Sequence, residues 1–248
     1  MAESLPIARA FLGWWRDSAR RLGPWRTLVR LGAGMGDLLL DLTPARRRLR
    51  YGDLEFDWEY GVNTSWANPS LSTRLRELFA GRQYMPTDPE LFRAAIGGLG
   101  IDYPQFTFLD LGSGKGRALL LASEFGFRRI VGVELLPELH RVAQANLGRF
   151  QGGVHGRRIE LWCGDARQFC IPEEPLVVFL FDPFPEHILE QVMLRLEQSW
   201  RKFPRKLFVV YQNPISEHVL SGAVWLRRRS GDVRVAVYEA NAGADALR

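Results

Sequence analysis

The chain has 248 residues, 46% hydrophobic and 25% charged, with a formal net charge of +5. That composition is globular and excludes a fibrous, low-complexity or disordered protein; the length suits one sizeable domain with an extension. No stretch is long and apolar enough to span a bilayer, and the N-terminus lacks a secretory leader pattern, so a soluble, cytoplasmic protein is expected.

Residues 4–22 place Ile7, Phe11, Trp15, Ala19 and Leu22 on one helical face, with Arg9, Arg16 and Arg20 off it. Gly23-Pro24 breaks that pattern and Pro24 suits the start of a second helix, which runs toward Leu42 and ends at Thr43-Pro44. A charged loop spans 45–70, and "LSTRLRELFAG" predicts a short helix closed by Gly81. The charge is uneven. Residues 1–50 carry ten Arg and four acids, a net of +6, which leaves the remainder at −1. The basic character therefore belongs to an N-terminal arm, and it is arginine, because the chain holds only three lysines: Lys115, Lys202 and Lys206.

From Thr87 the texture changes. "TDPELFRAAIGGLG" has a capping residue, an early proline and a terminal glycine, and predicts a helix. Strand-like and helix-like segments then alternate. Strands are expected at 106–111, 129–134, 158–163, 176–182, 205–211, 223–229 and 233–239, and helices at 115–125, 136–149 and 186–200. Apolar strands separated by helices imply a parallel sheet buried on both faces. The last two runs are joined by a short "SGD" loop and predict a hairpin. The expected fold is α/β: a doubly wound, Rossmann-like seven-strand sheet, mostly parallel with one antiparallel strand near the C-terminus, plus an N-terminal helical extension. The division is 1–81 for the basic extension and 82–248 for the α/β domain. The two cysteines, Cys163 and Cys170, have no CxxC spacing; one of them lies in a strand-like run and reads as a buried thiol. The four scattered histidines form no zinc pattern, and no metal is expected.

In such a sheet, ligands bind outside the carboxyl ends of the strands. "LDLGSGKGRALLL" follows the first strand there. The third glycine comes one residue early for a dinucleotide fingerprint, and Gly116-Arg117 lacks the Lys-Ser/Thr of a Walker loop. The D-x-G-x-G-x-G pattern from Asp110 to Gly116 resembles motif I of the class I, seven-strand S-adenosyl-L-methionine (SAM) methyltransferases. The resemblance implies SAM as cofactor. Asp110 would attract its ammonium, and the loop of Gly112, Ser113, Gly114 and Gly116 would meet its carboxypropyl arm. Glu134 would accept from its ribose hydroxyls. Asp165 would accept from its adenine amino group, with the Ala166 amide facing a ring nitrogen. Four acids, Asp110, Glu134, Asp165 and Asp182, close successive strands.

Asp182-Pro183-Phe184-Pro185 follows the fourth strand. Amino methyltransferases of nucleic acids carry D/N-P-P-Y/F at this place, and here the second proline and the aromatic are displaced. "RQYMPTDPELF" is similar to the Y-x-x-T/S element of the non-SET, seven-strand protein lysine methyltransferases, a distant likeness over roughly residues 82–213. It implies that Tyr84 and Thr87 close over the methionine end of SAM, and that Asp182 and Phe184 are catalytic residues lining a lysine channel. Trp66 has a channel reading beside a packing one; His187 reads as a proton acceptor or an exposed helix residue, and Lys115 as a helix start or a cation near the SAM carboxylate. "EYGVNTSW" at 59–66 reads as a turn or as a substrate contact. The activity implied is methylation of a protein lysine. The alternatives are an RNA or DNA amino methyltransferase and a non-catalytic SAM-binding module. A protein is the expected partner. The basic arm is open to three roles: a lid over the α/β domain, a grip on nucleic acid, or contact with an anionic membrane surface. Its apolar stripe favours the lid.

Overall fold

The computed structural model describes residues 7–40, 54–65, 86–150 and 159–241. The expected helix at 71–81, Trp66 and Tyr84 lie outside the described residues. Two compact units form. Among the described residues the first holds 7–40, 54–58, 65 and 86; the second holds 59–64, 87–150 and 159–241. Residues 59–64, expected within the extension, thus belong to the α/β unit.

In the first unit, α1 (Ile7–Leu22) and α2 (Pro24–Leu40) follow the predicted pattern. Gly23 turns between them with φ +81°, a left-handed conformation cheap only for glycine. Phe11 packs on Trp14 and Trp15, with ring centroids 6.3 and 6.2 Å apart. A third helix, α3 (Leu54–Tyr60), whose last two residues belong to the second unit, stands where a charged loop was expected. Its acids hide the apolar period. Asp57 is nevertheless buried, because its carboxylate accepts from the backbone N–H and the hydroxyl of Ser65.

The second unit is built on one seven-stranded sheet. Its strands are β1 (Thr107–Leu111), β2 (Arg129–Glu134), β3 (Ile159–Cys163), β4 (Leu176–Phe181), β5 (Leu207–Gln212), β6 (Leu226–Gly231) and β7 (Val235–Ala240). They lie in the order β3-β2-β1-β4-β5-β7-β6. β7 pairs antiparallel with both β5 and β6, and the other neighbours pair parallel. One strand near the C-terminus is reversed, as the hairpin predicted. β6 forms an outer edge and carries Arg227, Arg228 and Arg229 there, charges that discourage edge-to-edge pairing. β3 forms the other edge. Cys163 is exposed on it, contrary to the buried thiol expected from the run's composition, because an edge strand is covered from one side only.

α4 (Pro89–Gly97) is capped by Asp88, whose carboxylate accepts from the N–H groups of Glu90 and Leu91 at 2.9 and 3.0 Å. It sends Phe92 onto the sheet, edge-on to Phe108 (5.8 Å) and Phe179 (5.1 Å). α5 (Arg117–Ser123) lies wholly buried. α6 (Pro137–Arg149) follows β2. α7 (Glu186–Lys202) buries Leu189, Val192, Met193, Leu196 and Trp200, a helical period, against Leu109, Val178, Leu180 and Val209 of the opposite sheet face. Burying each such side chain contributes about 1.5–3 kcal/mol. Two short elements have no counterpart in the sequence reading: a 3-10 turn at Tyr103–Gln105 and α8 (Glu217–Ser221). Both are too short to show a period. Among the described residues no helix is long and apolar enough to cross a membrane, and no group of three or more His, Cys, Asp or Glu is placed to hold a metal.

Candidate functional site

Strand order reverses between β1 and β4, so the carboxyl ends of these two strands frame the crevice where such sheets bind ligands. β1 ends at Leu111, and the chain turns through Gly112, Gly114 and Gly116 with φ of +88°, +54° and +86°. Each would strain an ordinary residue. The turn explains why α5 begins at Arg117 and not at 115 as expected: Gly116 is its left-handed N-terminal neighbour. Gly112 and Ser113 both donate their N–H groups to Val133 O, at 2.8 and 3.0 Å, which ties the loop to β2. The Ser113 hydroxyl is buried without a hydrogen-bond partner.

Two buried carboxylates border the loop. Asp110, on β1, is 3% exposed. Burial, and then the nearby Glu134, push its pKa well above the usual carboxylate range. Glu134 closes β2. Its Oε2 accepts from Gly114 N and its Oε1 from Leu136 N, both at 2.8 Å. Burial raises its pKa, and these amide bonds pull it back. The resemblance implies a ligand-facing role for Glu134; in the structure it also shapes the glycine loop.

Asp165 follows β3. Arg167 donates to its carboxylate at 2.6 to 3.0 Å and holds its pKa below the usual value. Ala166 packs half-buried against the core. Asp182 follows β4 with φ +40°, which ends that strand at Phe181, one residue before the expected boundary. Its Oδ1 accepts from the Tyr211 hydroxyl at 2.9 Å. Phe184 packs half-buried against the α7-side core. Thr87 is buried, and its carbonyl accepts from Arg117 at 3.4 Å. His187 is exposed.

Asn146 and Gln212 carried no signal in the sequence, and Gly132, Lys115 and Arg117 take structural roles that it did not show. Gly132, inside β2, has no room for a side chain: an added Cβ would lie 2.5 Å from Leu119 and 2.9 Å from the Ser113 hydroxyl. Lys115 and Arg117 are buried, and burial lowers the Arg117 pKa to about 10. Arg117 Nε donates to Thr64 Oγ1 at 2.6 Å. Asn146, on α6, binds the backbone of Asn63. Gln212, the last residue of β5, is 4% exposed and its carbonyl oxygen has no partner. Asp182 and Asn213, which follow the adjacent strands β4 and β5, are the two non-glycine residues with positive φ among those described. Backbone strain of this kind gathers at functional sites.

A ligand that fits this crevice has a cation for the buried Asp110 carboxylate. The side chains present suit SAM. No family model matches the chain, and no curated protein matches it. Solved structures do. The mitomycin 7-O-methyltransferase MmcR is 16% identical over 88% of this chain and 69% of its own, with a TM-score of 0.50. An RNA methyltransferase from Salinibacter ruber, in complex with S-adenosyl-L-homocysteine, is 21% identical over 63% of this chain and 92% of its own, with a TM-score of 0.43. The glycopeptide N-methyltransferase MtfA is 12% identical over 62% and 95%, at 0.46. The first likeness, with the strand order above, shows that the chain has the Rossmann-like fold of a class I methyltransferase.

Proposed function

We propose that this protein is a SAM-dependent methyltransferase that methylates a nitrogen, with the side chain of a protein lysine as the favoured acceptor. The observation that carries the reading is the pairing of the Gly112–Gly116 loop, fixed by Glu134, with the buried Asp110 carboxylate at the end of β1. SAM supplies a methyl group already activated on a sulfonium. Asp110 would hold the ammonium, Glu134 the ribose hydroxyls, and the Gly112, Ser113, Gly114 and Gly116 stretch the carboxylate arm. Asp165 and Ala166 would face the adenine, and Tyr84 and Thr87 the methionine end.

The protein's remaining task is to present a neutral amine in line at near-attack distance. A lysine has a reference pKa of about 10.4, so it must lose a proton before it can react. Apolar surroundings favour the neutral amine by desolvation. Phe181 and Phe184, half-buried beside Asp182, supply apolar surface. Oxygen acceptors at the ends of β4 and β5 support nitrogen as the target: Asp182, oriented by Tyr211, and the unpartnered Gln212 carbonyl both suit an N–H donor. The second reading is an RNA or DNA amino methyltransferase. The ten arginines in residues 1–50 favour it, because they suit phosphates.

The test is incubation of a lysate with labelled SAM and the protein, followed by separate protease and nuclease digestion of the labelled fraction. Label released as methyl-lysine supports the proposal. Label lost to nuclease selects the second reading. Binding of SAM with no transfer to any fraction reduces the protein to a SAM-binding module.

A further inference from the structure

We infer that residues 60–64 form a strap that holds the glycine loop in its binding shape, with Asn146 as the positioning residue at its centre. Asn146 is 1% exposed on α6. Its Oδ1 accepts from Asn63 N at 2.8 Å, and its Nδ2 donates to Asn63 O at 3.0 Å and to Lys115 O at 2.9 Å. Both donor hydrogens of the carboxamide are therefore used, one on the strap and one on the loop. Lys115 stands between Gly114 and Gly116, and its ammonium lies 3.4 Å from Asn63 Oδ1.

The next strap residue grips the far side of the loop. Thr64, fully buried, accepts from Arg117 Nε at 2.6 Å. Tyr60 stacks on Phe150 just after α6, with centroids 5.2 Å apart, and anchors the other end of the strap. The two residues that flank Gly116 are thus both tied to 63–64.

A glycine-rich loop needs this. Fixing a backbone costs conformational entropy. A loop that is loose before binding loses affinity for every residue that orders, whereas a loop held in advance does not. The inference rests on reading the loop as the SAM site, but the restraint itself exists without ligand.

Two measurements separate the two ideas. Hydrogen exchange of the unliganded protein reads the loop, and calorimetric titration with S-adenosyl-L-homocysteine reads the site. In Asn146→Ala, exchange at 112–117 should accelerate at least tenfold while the β4 segment keeps its protection. Affinity for S-adenosyl-L-homocysteine should fall roughly ten- to hundredfold with three hydrogen bonds lost. In turnover, KM for SAM should rise while kcat at saturating SAM stays near wild type. Thr64→Val should shift both measurements in the same direction, and Thr64→Ser, which keeps the hydroxyl, should restore them; this pair decides if Asn146→Ala does not fold. Unchanged loop exchange and unchanged affinity in Thr64→Val and in any folded Asn146→Ala overturn the inference. A wild-type protein that does not bind S-adenosyl-L-homocysteine removes the methyltransferase reading, and the exchange measurement then decides the strap alone.

Discussion

Gly112 and Pro183 meet where a side chain would stand: a Cβ added to Gly112 would lie 2.4 Å from Pro183 Cβ. The loop after β1 and the loop after β4 are thereby in direct contact across the switch point of the sheet. Gly112 also has φ +88°. Gly112→Ala must both strain the backbone and push Pro183 away. It should lower stability by about 1–3 kcal/mol, the cost of a strained conformation, and weaken S-adenosyl-L-homocysteine binding by at least tenfold. Thermal melting and calorimetric titration check it. A variant with wild-type melting and affinity would show that the two loops can part freely.

Asp110 sets stability against binding. An acid whose native pKa lies above its unfolded value holds more protons when folded, so its contribution to stability falls as pH rises from the unfolded pKa through the native one. Asp110→Asn removes that penalty. The melting temperature of the variant, relative to wild type, should therefore climb as pH is raised from about 4, where an unfolded Asp titrates, toward neutrality. A stabilisation of 1 kcal/mol corresponds to about 2–4 °C in a chain of this size. The same variant cannot neutralise a ligand ammonium, so its affinity for SAM should drop more than tenfold. A melting difference that is flat with pH would sink the assignment of this shift to Asp110.

Glu134 offers a cleaner split. Both oxygens already accept from backbone N–H groups. Glu134→Gln keeps one acceptor and turns the other position into a donor that faces an N–H. It should loosen the loop at Gly114 and weaken S-adenosyl-L-homocysteine by about 1–3 kcal/mol, the cost of an unsatisfied buried group. Titration compared with melting checks it. Equal affinity in the variant would remove Glu134 from the site.

The sheet was legible from the sequence because β1, β2, β4 and β5 are continuous apolar runs, and such runs between helices have few other readings. A reversed strand near the C-terminus was legible from one short loop. The positions of Glu134 and Asp182 were legible because they stand at the ends of β2 and β4. The strap was not. "EYGVNT" has no period, and its bonds to Asn146, Lys115 and Arg117 span 83, 52 and 53 residues. Nothing local marks a backbone segment as the partner of a distant amide. Asn146 looked like an ordinary polar helix residue, and only its burial at 1% separates it from one. α3 was missed for a related reason: its buried acid is satisfied by Ser65, eight residues on, and reads as surface in sequence. Gly132 carried a weak signal, as glycine inside a strand often marks a close approach.

Gln212 is a buried acceptor without a donor, and such a group costs about 1–3 kcal/mol while it stays unpaired. It closes β5 beside Phe181, whose chain neighbour is Asp182. If it receives an N–H of the methyl acceptor, the protein gives up stability to keep that oxygen ready. Gln212→Leu should then raise the melting temperature by a few degrees (about 2–4 °C per kcal/mol). It should leave S-adenosyl-L-homocysteine affinity within about twofold, and cut methyl transfer to the labelled lysate fraction at least tenfold, a loss of about 1.4 kcal/mol. Gln212→Glu, which keeps an oxygen acceptor, should retain more transfer than the leucine variant. Melting, titration and label incorporation measured on the same preparations check all three expectations. A leucine variant that is more stable and fully active would leave Gln212 as a packing defect with no part in acceptor recognition.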